Sequence, residues 1–376
     1  FNPNKAGAVS LFVTDTKKYS KFKKNIKIFS SETKSKNMLF TNKNYINNFC
    51  LLHKNTKIDL FEIHNRPEYV YYIKKHFPNS KITLTFHNDP LNLRNSKSVS
   101  ERNYLIQTCS KIIFVSRWIQ QRFFKELKNS NYTKTSIVYC GVNIPKLKKI
   151  KKKKNILFVG KLNEAKGYNI FVEAAKKFKS INKKWNFIAV GNEPRKKIFP
   201  SNKIVKEVGY KSNKYVLNLY KNSEISIGNS IWNEPLGRIA IESSSRKCLP
   251  IISNIAGLKE SKSIAVVLKN NTPNELLKVL VNLTNKKNLR RKLQNKFFNN
   301  NKFSIQASTK QIDNIRDTIL KGHQNNVKKN KFRILHVANF NELSEGRLYY
   351  SFANKLNNGF IKNNNLVLPF SDRYSK

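Results

Sequence analysis

Short runs of β-branched and aromatic residues recur along this chain, each followed by a stretch whose apolar positions return every three or four residues. That alternation predicts an α/β protein of parallel strands wrapped by helices. The spacing predicts strands over 25–30, 60–64, 81–86, 111–115 and 137–139, the last ending in a Gly141-Val142-Asn143 turn. The lysine-rich run from Lys146 to Lys154 breaks the pattern and reads as a linker. A second series then begins. Strands are predicted over 155–159, 185–190, 204–208, 225–228 and 249–253. Helices are predicted over 168–180, 214–221, 238–247 and 273–283, with a helical tail to about residue 320. A polar stretch rich in Asn and Lys, 321–331, interrupts again before a strand over 332–338, a helix over 346–357 and a strand over 365–370.

These breaks divide the chain into a first α/β domain (1–146), a basic linker (147–154), a second α/β domain with a returning helix (155–320), a polar linker (321–331) and the truncated start of a further α/β domain (332–376). That last piece is too small to close a core alone. The chain opens at Phe1 without Met, and no strand precedes the first helical pattern. The sequence is therefore expected to be a fragment of a longer multidomain protein, missing the first strand of its first sheet.

Composition narrows the partners. A formal net charge of +51 invites a nucleic-acid reading, but Lys outnumbers Arg 59 to 14 and is spread through nearly every segment. Base and phosphate readers favour the bidentate guanidinium. No nucleic-acid partner is expected; the lysines decorate solvated faces and would draw the protein to anionic surfaces at low salt. Within residues 10–24, Phe12, Tyr19 and Phe22 share a helical face ringed by Lys17, Lys18, Lys21, Lys23 and Lys24. Two readings fit: the first helix of the sheet with a solvated basic face, or a surface docking on anionic lipid. The four cysteines are far apart without CxxC spacing, which argues against a disulfide or metal framework and for a reducing cytoplasm. No run of about 18 apolar residues exists to span a bilayer. His53, His64, His76, His323 and His336 lack ligand spacing and are expected to be structural or exposed.

Two segments can carry chemistry. In Gly160-Lys161-Leu162-Asn163-Glu164-Ala165-Lys166-Gly167 a strand runs into a glycine turn with two lysines five residues apart. Such a turn offers backbone N–H groups and a helix N-terminus to an anion, although neither GxxxxGK[ST] nor GxGxxG is present. A tight turn in a lysine-rich chain would look the same. In Glu234-Pro235-Leu236-Gly237-Arg238-Ile239-Ala240-Ile241-Glu242, a turn able to approach a ligand separates two carboxylates eight residues apart. Carboxylates accept paired hydrogen bonds from vicinal diols, as on ribose and hexose. Either Glu alone would read as an ordinary helix-start residue.

In combination, the order GK…KG, then EPxG…E, then Pro250-Ile251-Ile252-Ser253 resembles the retaining glycosyltransferases of family 4, which have the GT-B fold. The first half agrees. Residues 2–9 resemble the family's glycine loop, Thr85-Phe86-His87-Asn88 its active-site histidine, Val115-Ser116-Arg117-Trp118 its "VS" helix start, and Tyr139-Cys140-Gly141-Val142-Asn143 its "NGVD" turn. The resemblance implies that Lys161, Lys166 and Gly7 bind the donor diphosphate and that Glu242 takes the ribose. It implies that Glu234, with Leu236 and Gly237 beside it, holds the transferred sugar, that His87 contacts that sugar, and that backbone near Val208, Gly209 and Tyr210 meets the base. His87 and Glu234 would be the catalytic pair. It further implies a nucleotide-sugar donor, a glycan or lipid-linked acceptor, no cofactor and no metal, and a cytoplasmic enzyme that could sit peripherally at the inner membrane face. The sequence departs from the family at Lys161, where Arg is commoner, at Ala8, where a second glycine is usual, and in a one-residue-longer run after Glu242. A GT-B nucleotide-sugar epimerase, a basic nucleic-acid- or membrane-binding protein and an inactive glycosyltransferase-like partner are the competing readings.

Overall fold

The structure is a computed structural model that describes residues 7–29, 45–128, 132–147, 151–193, 204–299, 301–329, 333–338, 352–362 and 366–371. The chain forms two units, Phe1–Asp313 and Asn314–Lys376.

In the first unit, helix α1 (Ala8–Tyr19) buries Phe12 and Thr16, and α2 (Tyr45–Leu52) buries Tyr45, Ile46, Phe49 and Cys50. A strict alternation follows: β1 (Phe61–His64), α3 (Glu68–His76), β2 (Ile82–Phe86), α4 (Val99–Thr108), β3 (Lys111–Phe114), α5 (Arg117–Phe124) and β4 (Thr135–Ile137). The strands pair in parallel in the order β1-β2-β3-β4. All five residues of β2 are buried, as an interior strand covered on both faces requires. Phe86, Phe114 and Phe123 pack together at centroid distances of 5.2 to 5.8 Å, the first two stacked and Phe123 tilted against both. Local chemistry sets the helix starts: Ser98 and Glu101 form a capping box on α4, and Ser116 caps α5 through the Ile119 N–H.

After the linker come β5 (Lys153–Val159), α6 (Tyr168–Ile181), β6 (Asn186–Val190), β7 (Val205–Glu207), α7 (Asn213–Lys221), β8 (Ser223–Gly228), α8 (Arg238–Ser244), β9 (Leu249–Ile252), β10 (Val266–Val267), α9 (Pro273–Asn285) and α10 (Lys287–Phe298). Their strands form a second parallel sheet of order β10-β9-β8-β5-β6-β7. Helix α11 (Ile305–Lys329) follows. Chain crossing back joins the halves of this unit: Val142 bridges Ser304, and Ser20 donates to Asp313 at 2.7 Å.

In the second unit, β11 (Arg333–Ala338) and β12 (Leu366–Ser371) pair in parallel around α12 (Phe352–Lys362).

Several expectations shift. Residues 26–29 form no strand; Phe29 instead packs edge-on against Phe49 and His53, so this stretch is held by a side chain and not by a ladder, while residue 30 lies outside the described residues. The helix expected over 238–247 stops at Ser244. Ser243 and Ser245 bond back to the Ile239 and Glu242 carbonyls, each at 2.7 Å, which competes with propagation, and Lys247 turns to φ 56°. The polar stretch expected to act as a linker over 321–331 is helical through Lys329, with no proline to interrupt the helix. The late helix lies at 352–362 in place of 346–357, of which 346–351 fall outside the described residues. Helices α2, α3 and α4 and the two-residue β10 have no counterpart in the sequence reading.

Candidate active site

Ligands of open parallel sheets bind beyond the carboxyl ends of the strands, where the strand order reverses. In the second sheet that point lies between β5 and β8: the chain moves from β5 outward to β6 and β7, then returns to the other side of β5. The loops leaving β5 and β8 therefore lie side by side. They carry the two segments singled out above, and Lys166 Nζ meets Glu234 Oε1 at 3.0 Å.

The loop after β5 is shaped by glycine and one capping asparagine. Asn163 caps the 3₁₀ turn Glu164–Lys166 by accepting the Lys166 N–H at 3.2 Å, and its Nδ2 donates to Glu193 at 2.6 Å. Gly167 then takes φ 72° and starts α6. A Cβ there would stand 2.1 Å from the Asn229 carbonyl oxygen, so the loops after β5 and β8 touch at a point only glycine allows.

The loop after β8 is folded onto its neighbour after β9. Gly257 donates to the Glu234 carbonyl at 2.9 Å, and Leu236 is buried. Gly237 sits at φ 74°, where a Cβ would strike Leu258 Cδ1 at 2.1 Å. Glu242, on α8, is 7% exposed. Its Oε1 receives Arg238 Nε at 3.1 Å, Arg238 Nη2 at 3.0 Å and Asn213 Nδ2 at 3.4 Å. Arg238 also donates from Nη1 to the Ala8 carbonyl at 3.3 Å, so one guanidinium joins Glu242 to the first turn of α1. Burial works against its charge, but Glu242 and Cys140 outweigh that and hold its pKa above the ordinary value.

His87 leaves the end of β2 and is 7% exposed. Its Nε2 lies 3.1 Å from His64 Nδ1, and its Nδ1 lies 3.5 Å from Cys140 Sγ. Phe12 of α1 meets the ring edge-on at 5.6 Å. Asn65, at φ 59°, fixes the turn by accepting the His87 and Asn88 N–H groups at 3.1 and 3.0 Å. Burial, reinforced by His64 and Arg238, holds the His87 pKa well below its usual value, so the ring is neutral near pH 7.

The structure thus brings Lys166, Glu234, Gly237 and Glu242 to one strand edge, with Arg238 reaching from it to the start of α1 near Gly7. Lys161 is exposed on the Lys166 loop. Gly7 is the N-cap of α1 with φ −71°, and a Cβ there would meet nothing within 4 Å; residues 2–6 of the expected glycine loop lie outside the described residues. Val208, Gly209 and Tyr210 follow β7, with Gly209 accepting the Gly191 N–H at 3.0 Å and Tyr210 60% exposed. Phe12 is buried on His87, so it does not share an exposed face with Tyr19 and Phe22. His64, expected to be structural or exposed, is the direct neighbour of His87. The repeated His-Asn at the carboxyl ends of β1 and β2 (His64-Asn65, His87-Asn88) is the signal that could have shown it. Arg238, Cys140 and Trp232 were likewise missed. Among the described residues no group of three His, Cys, Asp or Glu side chains could hold a metal ion, and no helix is long and apolar enough to cross a membrane.

The fold defines the class: two Rossmann-like lobes, the architecture of GT-B proteins. Residues 142–299, which span most of the second lobe, match the family described as Glycosyl transferases group 1. Spore coat protein SA of Bacillus subtilis is 26% identical over 235 residues, 54% of this chain and 62% of that protein. YtcC of the same organism is 23% identical over 260 residues, 60% of this chain and 63% of its own length. The chain therefore spans less than two thirds of these two relatives. Among solved structures, Anabaena Alr3699/HepE in complex with UDP-glucose superposes with a TM-score of 0.65 at 14% identity, covering 85% of this chain and 98% of that one. A glycosyltransferase from Rickettsia africae gives 0.63 at 22% identity, covering 80% and 86%. The GT-B fold expected from the sequence is the fold observed.

Proposed function

We infer that the protein is a retaining glycosyltransferase that moves a hexose from a nucleotide-sugar donor to a hydroxyl of a cell-surface glycan or lipid-linked saccharide. The contact that carries this reading is the 3.0 Å pair between Lys166 and Glu234. In a nucleotide sugar the hexose and the terminal phosphate share one bridging oxygen. The groups that recognise them must therefore adjoin, one cationic and one a diol acceptor.

Lys166 and Lys161 would neutralise the diphosphate and the charge that grows on it as the glycosidic bond breaks. Glu234 would accept from the sugar hydroxyls, held in place by the Gly257 N–H on its own carbonyl. Glu242, oriented by Arg238 and Asn213, would offer its remaining oxygen to the ribose. The backbone of 208–210 would meet the base, and Gly7 would close on the phosphates. His87 has both ring nitrogens next to protein atoms, so it would meet the sugar through its backbone or after giving up one ring contact. The acceptor hydroxyl would attack from the leaving-group side, its proton passing to the departing phosphate oxygen, which preserves the anomeric configuration. The reading needs neither cofactor nor metal. The exposed lysines 18, 21, 23 and 24 suit an acceptor carried on an anionic surface.

UDP-glucose is the first donor to test, given the HepE complex. The full chain should release nucleotide from one member of a UDP-, GDP- and ADP-hexose panel and transfer its sugar. Both Glu234→Gln and Lys166→Ala should lose that transfer. Full transfer in both variants would overturn the assignment.

A further inference from the structure

Residues 229–232, leaving β8 beside the Lys166 loop, have a tightly held backbone. The Ile231 and Trp232 N–H groups both reach the Ala165 carbonyl, at 3.0 and 2.9 Å. Ser230 Oγ lies 2.9 Å from the same oxygen and 3.1 Å from the Trp232 carbonyl. Ser253 Oγ and Asn271 Nδ2 donate to the Ser230 carbonyl at 2.7 and 3.2 Å. On this fixed backbone two large apolar side chains face solvent, Ile231 at 53% and Trp232 at 47% exposure. By contrast Trp185 is 2% exposed beneath the Arg290 guanidinium.

The neighbours of Trp232 say what it suits. Lys166 Nζ lies 4.8 Å from its ring centroid, and the same ammonium pairs with Glu234 at 3.0 Å. An aromatic face on a fixed backbone, a carboxylate and an ammonium therefore share one corner. Pyranose rings need that mixture: one face is lined by C–H groups that pack on a π surface, while the rim hydroxyls need acceptors and donors. The cation over the ring favours this placement of the indole. Two exposed residues are far too small for a protein interface, which needs roughly 800 Å² on each partner.

We propose that Trp232, edged by Ile231, is a stacking platform for a pyranose ring next to the donor site. Which ring it carries, the donor's sugar or the acceptor's, rests on the glycosyl-transfer reading; that it carries a ring does not.

The test uses the full chain and the variants Trp232→Ala and Trp232→Phe. Methyl glycosides at millimolar concentration should change the tryptophan emission of the wild type, and that change should vanish in Trp232→Phe, which keeps a ring but loses the reporter. With UDP-glucose as donor, Trp232→Ala should raise a KM about tenfold while Trp232→Phe stays within about threefold. A rise in the donor KM for hydrolysis assigns the platform to the donor sugar; a rise confined to the acceptor KM assigns it to the acceptor. UDP affinity should stay within about twofold in Trp232→Ala. If that variant instead weakened UDP itself tenfold, the indole would serve only to steady Lys166 and the proposal would fall. It would also fall if glycosides left the wild-type emission unchanged and Trp232→Ala kept every KM. A wild type that bound no nucleotide sugar would sink the glycosyltransferase reading alone, since the glycoside titration still decides the platform.

Discussion

Glu260 accepts the backbone N–H of Trp118 at 2.8 Å, across 142 residues of sequence. The same carboxylate takes the Arg117 N–H at 3.0 Å and the Tyr139 hydroxyl at 3.1 Å. A side chain from the 3₁₀ turn Leu258–Ser263, beyond β9, thus closes the first turn of α5 on the other lobe, where a negative charge is favoured by the helix dipole. Two further links run beside it: Arg246 to the Asn143 carbonyl at 2.6 Å and Arg238 to the Ala8 carbonyl at 3.3 Å. Glu260→Ala removes a shared cap and should lower the unfolding free energy by about 1–2 kcal/mol, with Glu260→Gln near half of that. Urea midpoints measure both. Burial first, then Glu260, pushes the Tyr139 hydroxyl up to about 12. Spectrophotometric titration should find it lower in the Gln variant, and unchanged values in both measurements would show the cap to be idle.

The Lys166–Glu234 pair makes a prediction with an unusual sign. Glu234 competes with any phosphate for the same ammonium. Glu234→Gln should therefore bind UDP as tightly as the wild type or more tightly, while sugar transfer falls by about a hundredfold or more, since one hydrogen-bonded group on the sugar is worth a few kcal/mol in the transition state. Lys166→Ala should weaken UDP itself. Calorimetry with UDP and a turnover assay separate the two effects; loss of UDP affinity in the Gln variant would contradict this geometry.

The pattern of apolar runs carried the βα alternation and most strand positions, because buried parallel strands must be continuously apolar. The order of glycines, lysines and glutamates pointed to two segments that meet for a topological reason: β5 and β8 are neighbours, so Lys166 and Glu234, 68 positions apart, come into contact. What stayed hidden depends on side-chain contacts between segments far apart in sequence. Arg238 reads in sequence as an ordinary helix-start residue and acquires meaning only when the Ala8 carbonyl arrives. Trp232 reads as a stray aromatic until Lys166 is seen above it. Residues 26–29 carried a strand-like pattern, but a strand needs a partner, and Phe29 found α2 instead.

Gly167 should tolerate no side chain. Its φ of 72° disfavours any Cβ, and that atom would stand 2.1 Å from a backbone oxygen of Asn229, which is pinned by Asn271 at 2.9 Å. Gly167→Ala should lose about 2 kcal/mol or more of stability, from αL strain plus the displaced loop. Gly7→Ala, which meets nothing, should stay within about 0.5 kcal/mol. Chemical denaturation of the pair checks both, and equal stability of the two variants would show that the β5 and β8 loops do not press together here.

His87 sets the last prediction, a pH dependence. The native ring resists protonation because it is buried and faces His64 and Arg238, with Cys140 on its other nitrogen and Phe12 edge-on beside it. In the unfolded chain the same ring titrates near its usual 6.5. Above that pH neither state binds the proton and the stability is whole. As pH falls below 6.5 the unfolded state takes up a proton that the native state refuses, so stability declines, by up to about 1.4 kcal/mol per pH unit for this single group, until the native pKa is reached. Between pH 7.5 and 5.5 most carboxylates stay ionised, which isolates the histidine contribution. His87→Gln removes the titrating group and should flatten the decline over that window, even if the variant is less stable at every pH. Urea unfolding at half-unit intervals reads the slope; an identical slope in wild type and variant would mean that His87 takes up its proton in the folded cleft as readily as in the unfolded chain.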